Sequence, residues 1–327
     1  MIRSLLFTPS GETKTISSEQ IQSVLGQNHG FLWVDIDFES LESSKLFLKD
    51  VFKFHPLSID DALQETHMPK VDIWDDYLYM VLRTVIQEEQ DKFEISTPEL
   101  DIFLGPNYLV TFHEFSIKSV EKIWDLCQKD SQYSSRSAAY LLYHITDEIA
   151  STIMLMVENL DNRIDKIEDE IFDNPKNETL EHIFSVKRAV LRLRRTLLPQ
   201  REVFSKLANG NYPIVEEKDQ AYFRNIYDHM VRLYEINESL RELIGGALDT
   251  YLSVVNNRMN DVMKTLTIIT TLFMPLSFLT GFFGMNFFQA VIPLEVWTGK
   301  LVFTLIIAGM IFIPLGMYAW MRRRAWM

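Results

Sequence analysis

The chain has 327 residues, enough for one large or two modest domains, and a single cysteine, Cys127, which excludes an internal disulfide framework and a Cys-rich zinc site. Its 32 bases against 45 acids give a formal charge of −13. This argues against a nucleic-acid surface, since little would release counterions from phosphates, and it suits a protein that meets cations.

The start, MIRSLLFTPSGE, has too short an apolar stretch for a secretory signal. Short β-branched or aromatic runs predict strands over Ile2–Phe7, Phe31–Phe38, Tyr77–Val85, Leu100–Leu104 and Tyr108–Phe112. Gly105-Pro106-Asn107 joins the last two as a hairpin. Glu39–Phe52 and Pro56–Gln64 have helical character, and His55-Pro56 marks the start of the second, with Asp60 and Asp61 following. From about Ser135 the pattern is wholly helical. Ala138–Ile171 ends near Asn174-Pro175, and Glu178–Asn209 ends at Asn209-Gly210-Asn211. A third helix begins near Glu216, after Pro213, and meets no proline before Pro275. Continued into the apolar region it would run for ~65 residues, roughly 100 Å, which calls for a stalk or a coiled coil.

The last sixty or so residues hold two apolar runs, Leu266–Phe283 and Leu301–Trp320, with no ionisable side chain in 18 and 20 residues. The second covers ~30 Å as a helix, the thickness of a hydrocarbon core. Two buried helices of a globular core are the alternative, but soluble helices of this length carry a charged face. Pro275 and Pro314 are tolerated in membrane helices. Beyond Asn257 only Asp261 and Glu295 are acidic, against six bases. Residues 1–257 therefore carry 26 bases and 43 acids, a charge of −17. Arg322, Arg323 and Arg324 follow the second run, Arg258 and Lys264 precede the first, and the connecting loop has only Glu295 and Lys300. The positive-inside rule places both termini in the cytoplasm, with the chain multi-pass in the cell's inner (plasma) membrane. The expected domains are a cytosolic α/β domain (1–135), a helical bundle with a stalk helix (136–265), and a transmembrane hairpin with a basic tail (266–327). The hairpin comprises spans 266–283 and 301–320 and an outer loop 284–300.

Steps of four and three along the third helix pick out Asp249, Ser253, Asn256, Asn260, Met263, Thr267, Thr270, Met274, Ser277 and Gly281. This stripe is mostly polar or small and continues through the apolar run, where such a face should avoid lipid. Close helix packing accounts equally well for Thr267 to Gly281, but not for Asn256, Asn260 or Asp249 at the entry. Upstream the apolar stripe is ordinary: Met230, Leu233, Leu240, Ile244, Ala247, Tyr251 and Val254, interrupted by Asn237. Two membrane helices per chain cannot enclose water, so a pore needs a ring of chains. Asp249 would then form an acidic collar, and Met263 with Leu266 an apolar neck able to close by dewetting.

FFGMNFF, with Gly284-Met285-Asn286, stands at the outer end of the first span. Together with MKTLTIITTLFMPLSFLTGFFGMNF, HPLSIDDAL, MPKVDIWDDYLYMVLR, YLLYHITDEI and FRNIYDHMVRL, it resembles the CorA family of magnesium channels over roughly residues 30–327. The resemblance implies an α+β cytosolic domain (an αβα sandwich), a long stalk helix and two C-terminal transmembrane helices in a funnel-shaped homopentamer. It implies passive entry of hydrated Mg2+ (Co2+ or Ni2+ besides) driven by voltage, with Asn286 as the outer selectivity ring and Gly284 and Met285 beside it. Asn260, Met263, Leu266, Thr270, Met274 and Ser277 would line the pore, leaving Thr267 on the flank. It further implies regulatory Mg2+ between subunits, with Asp61 the matching acid, Asp60 assisting and Asp147 a candidate for a second ion. Asn225 stands where the family often has an acid, and Asp228 one turn on is a substitute. Phe283 replaces the usual Tyr, and the outer loop lacks the usual acidic cluster.

From the ion's side, amide oxygens suit an ion that keeps its waters, whereas a carboxylate ring would hold it too tightly. By position alone, Asn286 equally reads as a C-terminal Asn after Gly. A zinc transporter of the same superfamily, proton-coupled or not, is the nearest rival; its branch usually replaces the Met that Met285 retains. The histidines His29, His55, His67, His113, His144, His182 and His229 are scattered off the stripe and read as ordinary surface or core residues. An enzyme is not expected, since HExxH, GxxxxGK and GxSxG are all absent. A coiled-coil scaffold with a hairpin anchor would not need a polar stripe in the membrane.

Overall fold

The computed structural model describes residues 1–25, 30–37, 40–64, 68–87, 95–129, 137–210, 212–285 and 299–324. The chain divides into two compact units, Met1–Asp249 and Thr250–Met327.

The first unit is built on a seven-stranded mixed sheet. Its strands are β1 (Ile2–Phe7), β2 (Thr13–Thr15), β3 (Phe31–Asp37), β4 (Lys70–Ile73), β5 (Leu78–Arg83), β8 (Glu99–Leu104) and β9 (Tyr108–His113), in the order β2-β1-β3-β9-β8-β5-β4. Only β3 and β9 pair in parallel. A separate ribbon joins β6 (Ile86–Gln87) and β7 (Ile95–Ser96). The β8–β9 hairpin turns at Gly105-Pro106-Asn107, where a Cβ on Gly105 would lie 2.2 Å from the Tyr108 ring. Glycine there leaves room for the ring that closes over the turn.

Burial on both faces explains why the central strands read as continuous apolar runs. From β3, Leu32, Val34 and Ile36 face one side, with Val110, Phe112, Phe103, Tyr79 and Val81 from neighbouring strands. Helices α1 (Ser18–Leu25), α2 (Leu41–Asp50) and α3 (Pro56–Ala62) cover that side with Ile21, Leu48, Ile59 and Ala62. The opposite face carries Trp33, edge-on to Trp124 at 4.9 Å. It is covered by α4 (Lys118–Lys129) and α5 (Ala138–Asp173). Helices thus lie on both faces of the sheet.

Among the side chains on that second face is a buried charged cluster. Asp35 on β3 is inaccessible and accepts bonds from Arg3 on β1 at 2.9 Å, from Thr111 on β9, and from His113 Nε2 at 3.2 Å. Arg3 also donates to Glu121 of α4 at 2.9 Å and lies 4.2 Å over Trp124. His113 Nδ1 faces the Phe115 carbonyl at 2.9 Å. Both ring nitrogens therefore face acceptors, which is the arrangement of an imidazolium. Burial alone would lower the His113 pKa, but the Asp35 carboxylate outweighs it and the net shift is upward. Burial alone would raise the Asp35 pKa, but His113, Thr111 and Arg3 override it and hold the carboxyl below its usual range.

Helix α5 starts on Ser137, whose hydroxyl accepts from the Tyr140 N–H at 3.1 Å. It pairs with α6 (Asn177–Asn209). Helix α7 then runs unbroken for 68 residues, Glu217–Gly284, through Pro275. Its buried side is Phe223, Ile226, Met230, Leu233, Asn237, Leu240, Ile244 and Ala247, an alternation of three and four residues. Asn237 is wholly buried, and neither of its amide atoms has a hydrogen-bond partner among the described residues. The last helix, α8 (Lys300–Arg323), contains Pro314 without a break.

Candidate ion path and candidate metal-binding residues

In the second unit, α7 continues from Thr250 to Gly284. At about 100° per residue, Asn260, Met263, Leu266, Thr270, Met274 and Ser277 fall on one face of it. All six are exposed. Thr267, expected on the flank, falls within the same arc between Met274 and Asn260; it turns its hydroxyl back to the Met263 carbonyl at 2.8 Å, and Thr265 and Thr280 do the same to Asp261 and Leu276. Those hydroxyls are satisfied within their own helix, as lipid would require. Pro275 donates no N–H, so the Thr271 carbonyl one turn earlier loses its helical partner. Gly284 is the last residue of α7 and Met285 follows it, exposed, its N–H 3.4 Å from the Phe282 carbonyl. Asn286 and most of the outer loop lie outside the described residues. Asp249, the final residue of the first unit, is exposed.

The apolar windows of α7 and α8 are long enough to cross a membrane, and 0% of either is buried. A soluble core helix of this composition would be covered. Here Leu266, Phe273, Phe278, Leu301, Phe303 and Phe312 are each more than 60% exposed. Surfaces of this kind need lipid or further protein against them.

In the first unit, α3 carries Asp60 and Asp61. Its start is fixed by His55, whose Nδ1 accepts from the Leu57 N–H at 3.2 Å and whose ring stacks on Trp74 at 4.2 Å. The Ser58 hydroxyl and the Tyr77 hydroxyl, 2.7 Å apart, lock the same turn. Both acids already hold cations. Asp60 pairs with Lys45 of α2 at 2.7 Å. Asp61 pairs with Lys70 of β4, which also reaches Asp72 at 2.9 Å. The other candidates sit on α5 and α7: Asp147 lies 3.4 Å from His229, and Asn225 accepts from the Tyr143 hydroxyl at 3.5 Å. Asp228 and Asn225 are exposed.

Carboxylate and amide oxygens are the donor type that Mg2+ takes. Among the described residues, however, no three His, Cys, Asp or Glu side chains stand together as a metal site within one chain. The donors fit the ion in kind. The partner side chains Lys45, Lys70 and Tyr143 had no place in the sequence-based site, although Lys70 lies inside the MPKVDIWDDYLYMVLR run. His229, read as an ordinary surface or core residue, is exposed beside Asp147.

The fold and the exposed apolar helices define an α/β body joined to a helical membrane segment. The family described as "CorA-like Mg2+ transporter protein" matches residues 28–323, and the chain belongs to that family. It is 32% identical over 283 residues to the "Cobalt/magnesium transport protein CorA" of Thermotoga maritima, covering 85% of this chain and 78% of that protein. It is 30% identical to the "Putative metal ion transporter YfjQ" of Bacillus subtilis, over 90% of each chain. The complete structure of the CorA magnesium transporter from Methanocaldococcus jannaschii superposes with a TM-score of 0.85 at 23% identity, covering 100% of this chain and 99% of that one.

Proposed function

We propose that the protein is a homopentameric channel that carries hydrated Mg2+, with Co2+ or Ni2+ besides, into the cytoplasm across the inner (plasma) membrane, with both termini cytoplasmic. The observation that carries this reading is a stripe of mostly polar or small residues continuing through an apolar helix that its own chain leaves uncovered. Around a shared axis, several copies turn Asn260, Met263, Leu266, Thr270, Met274 and Ser277 toward water and leave Leu272 and Leu279, on the opposite face, to lipid. Met263 and Leu266 then form the apolar neck, and Asp249 a ring of negative charge that concentrates cations at the inner mouth. Gly284, Met285 and Asn286 form the outer filter. The protein has no catalytic role; divalent cations are its cargo.

Gating follows from linkage. Ions held between subunits, with Asp61 and Asp60 on one side and Asp147, Asn225 and Asp228 on the other, stabilise whichever arrangement binds them. When cytosolic Mg2+ falls, the symmetric closed ring loses that stabilisation.

The test is ion flux into proteoliposomes of the purified chain with Mg2+, Co2+, Ni2+ and Zn2+, with and without a pH gradient. Mg2+ entry down its own gradient at uniform pH is the expected result. Entry of Zn2+ alone, or only with an imposed proton gradient, would assign the chain to zinc transport instead.

A further inference from the structure

Asp60 and Asp61 are adjacent on a short helix, and adjacent carboxylates repel. The fold answers each with a separate lysine from a different element. Lys45 reaches Asp60 from α2. Lys70 reaches Asp61 from the edge strand β4, and its ammonium has a second seat on Asp72 at 2.9 Å. The Lys70 ammonium also lies 5.3 Å from the centroid of the Tyr79 ring, whose face attracts a cation. That ring is fixed in turn by the bond from its hydroxyl to Asp101 at 2.5 Å. Lys70 is thus a cation tethered at the mouth of two carboxylates, and only one of these belongs to the proposed ion-sensing set.

We infer that Lys70 is a built-in competitor of the regulatory ion. It occupies Asp61 when cytosolic Mg2+ is low and moves wholly onto Asp72 when Mg2+ takes Asp61. This rests on the reading that Asp61 senses Mg2+. The ion must displace or face a positive charge to reach Asp61, so the lysine raises the concentration at which the site fills. Asp72 has the opposite effect: by offering the ammonium another partner it makes Asp61 easier to vacate. Such a device keeps the response in the range of free cytosolic Mg2+ and prevents Asp60 and Asp61 from repelling their surroundings when the ion leaves.

The magnitude follows from exposure. The Lys70 and Asp61 side chains are 30% and 34% exposed, so solvent screens the pair substantially. Removing it should shift ion affinity by about two- to five-fold, the effect of a partly exposed ion pair.

The experiment measures protection of the full-length protein in detergent from limited proteolysis as Mg2+ is raised, with thermal unfolding in chelator as the check on folding. Lys70→Gln should lower the protective Mg2+ midpoint about two- to five-fold, Lys70→Arg should leave it near the wild-type value, and Asp72→Asn should raise it. An unchanged or raised midpoint in Lys70→Gln overturns the counter-cation role. If that variant proves misfolded, an unchanged or lowered midpoint in Asp72→Asn overturns it equally. Asp61→Ala separates the two levels of inference. Lost protection in Asp61→Ala with an unmoved midpoint in Lys70→Gln rejects the lysine alone, whereas full protection in Asp61→Ala rejects Asp61 as the sensor and the inference with it.

Discussion

Replacing Asn286 by Ala is expected to abolish Mg2+ flux into proteoliposomes while the protein keeps its oligomeric mass and its thermal stability. The physical reason lies in the ion. Mg2+ gives up its waters reluctantly, so a filter that passes it quickly must bind the hydrated ion through those waters. A ring of amide oxygens does this without the charge that would trap a divalent cation. Asn286 follows the Gly284–Met285 end of α7. Alanine at this position removes every side-chain amide oxygen of the filter at once, because the proposed ring repeats the substitution in each subunit. Glutamine would retain the amide and some flux. Unchanged flux in Asn286→Ala would remove the filter assignment.

The second large effect concerns the body. Asp35→Ala should destabilise the first unit by about 3–5 kcal/mol, the usual cost of leaving a buried partner charge uncompensated. His113 would lose the Asp35 carboxylate and Arg3 would keep only that of Glu121. Chemical denaturation of the full-length protein, followed by the signal of Trp33 and Trp124 beside the cluster, measures this directly. The same cluster fixes the pH dependence. The folded His113 pKa lies above its unfolded value, so its contribution is complete below about pH 6.5 and is lost as pH rises through the raised folded value. The folded Asp35 pKa lies below its unfolded value, so its contribution is complete above about pH 3.9 and is lost as pH falls through the lowered folded value. Wild-type stability should therefore fall as pH rises above the unfolded histidine value of about 6.5, and His113→Gln should flatten that fall. An equally steep decline in His113→Gln would place the titrating group elsewhere.

Much of the architecture was legible because it depends on local patterns. The β1 span, the β8–β9 hairpin and the start of α5 lie where the sequence places them. Buried sheet strands and long helices leave unmistakable apolar runs. Helix α7 was legible as well: no proline precedes Pro275, and inside an apolar span one missing N–H does not stop a helix. The omitted elements are short or mixed in character. Strand β4, Lys70–Ile73, is an edge strand whose outward Lys70 and Asp72 mask the buried Val71. Helix α1 buries only Ile21. Helix α4 buries Val120, Ile123, Trp124 and Cys127 at helical spacing, a signal that stands among enough charges to pass for a loop.

The site divides along similar lines. The face shared by Asn260, Met263, Thr270, Met274 and Ser277 follows from spacing on a continuous helix, and so was readable. The Asp61–Lys70–Asp72 group was not, because it joins a helix to a strand whose pairing only the folded sheet reveals. The Arg3–Asp35–His113 cluster was hidden for the same reason: β1, β3 and β9 are neighbours in space and far apart in the chain.

The most direct measurement of the central claim is the reactivity of single cysteines placed one at a time along the first span of the full-length protein in liposomes. Cys127 does not interfere, since it is buried and burial pushes its thiol pKa up to about 12. Cysteines at Asn260, Met263, Thr270, Met274 and Ser277 should react with a small charged thiol reagent and block Mg2+ flux, while cysteines at Leu272 and Leu279, on the opposite face of the helix, should resist it. Charged reagent reaching Leu272 and Leu279 while the stripe yields only to a lipid-soluble maleimide would contradict the account.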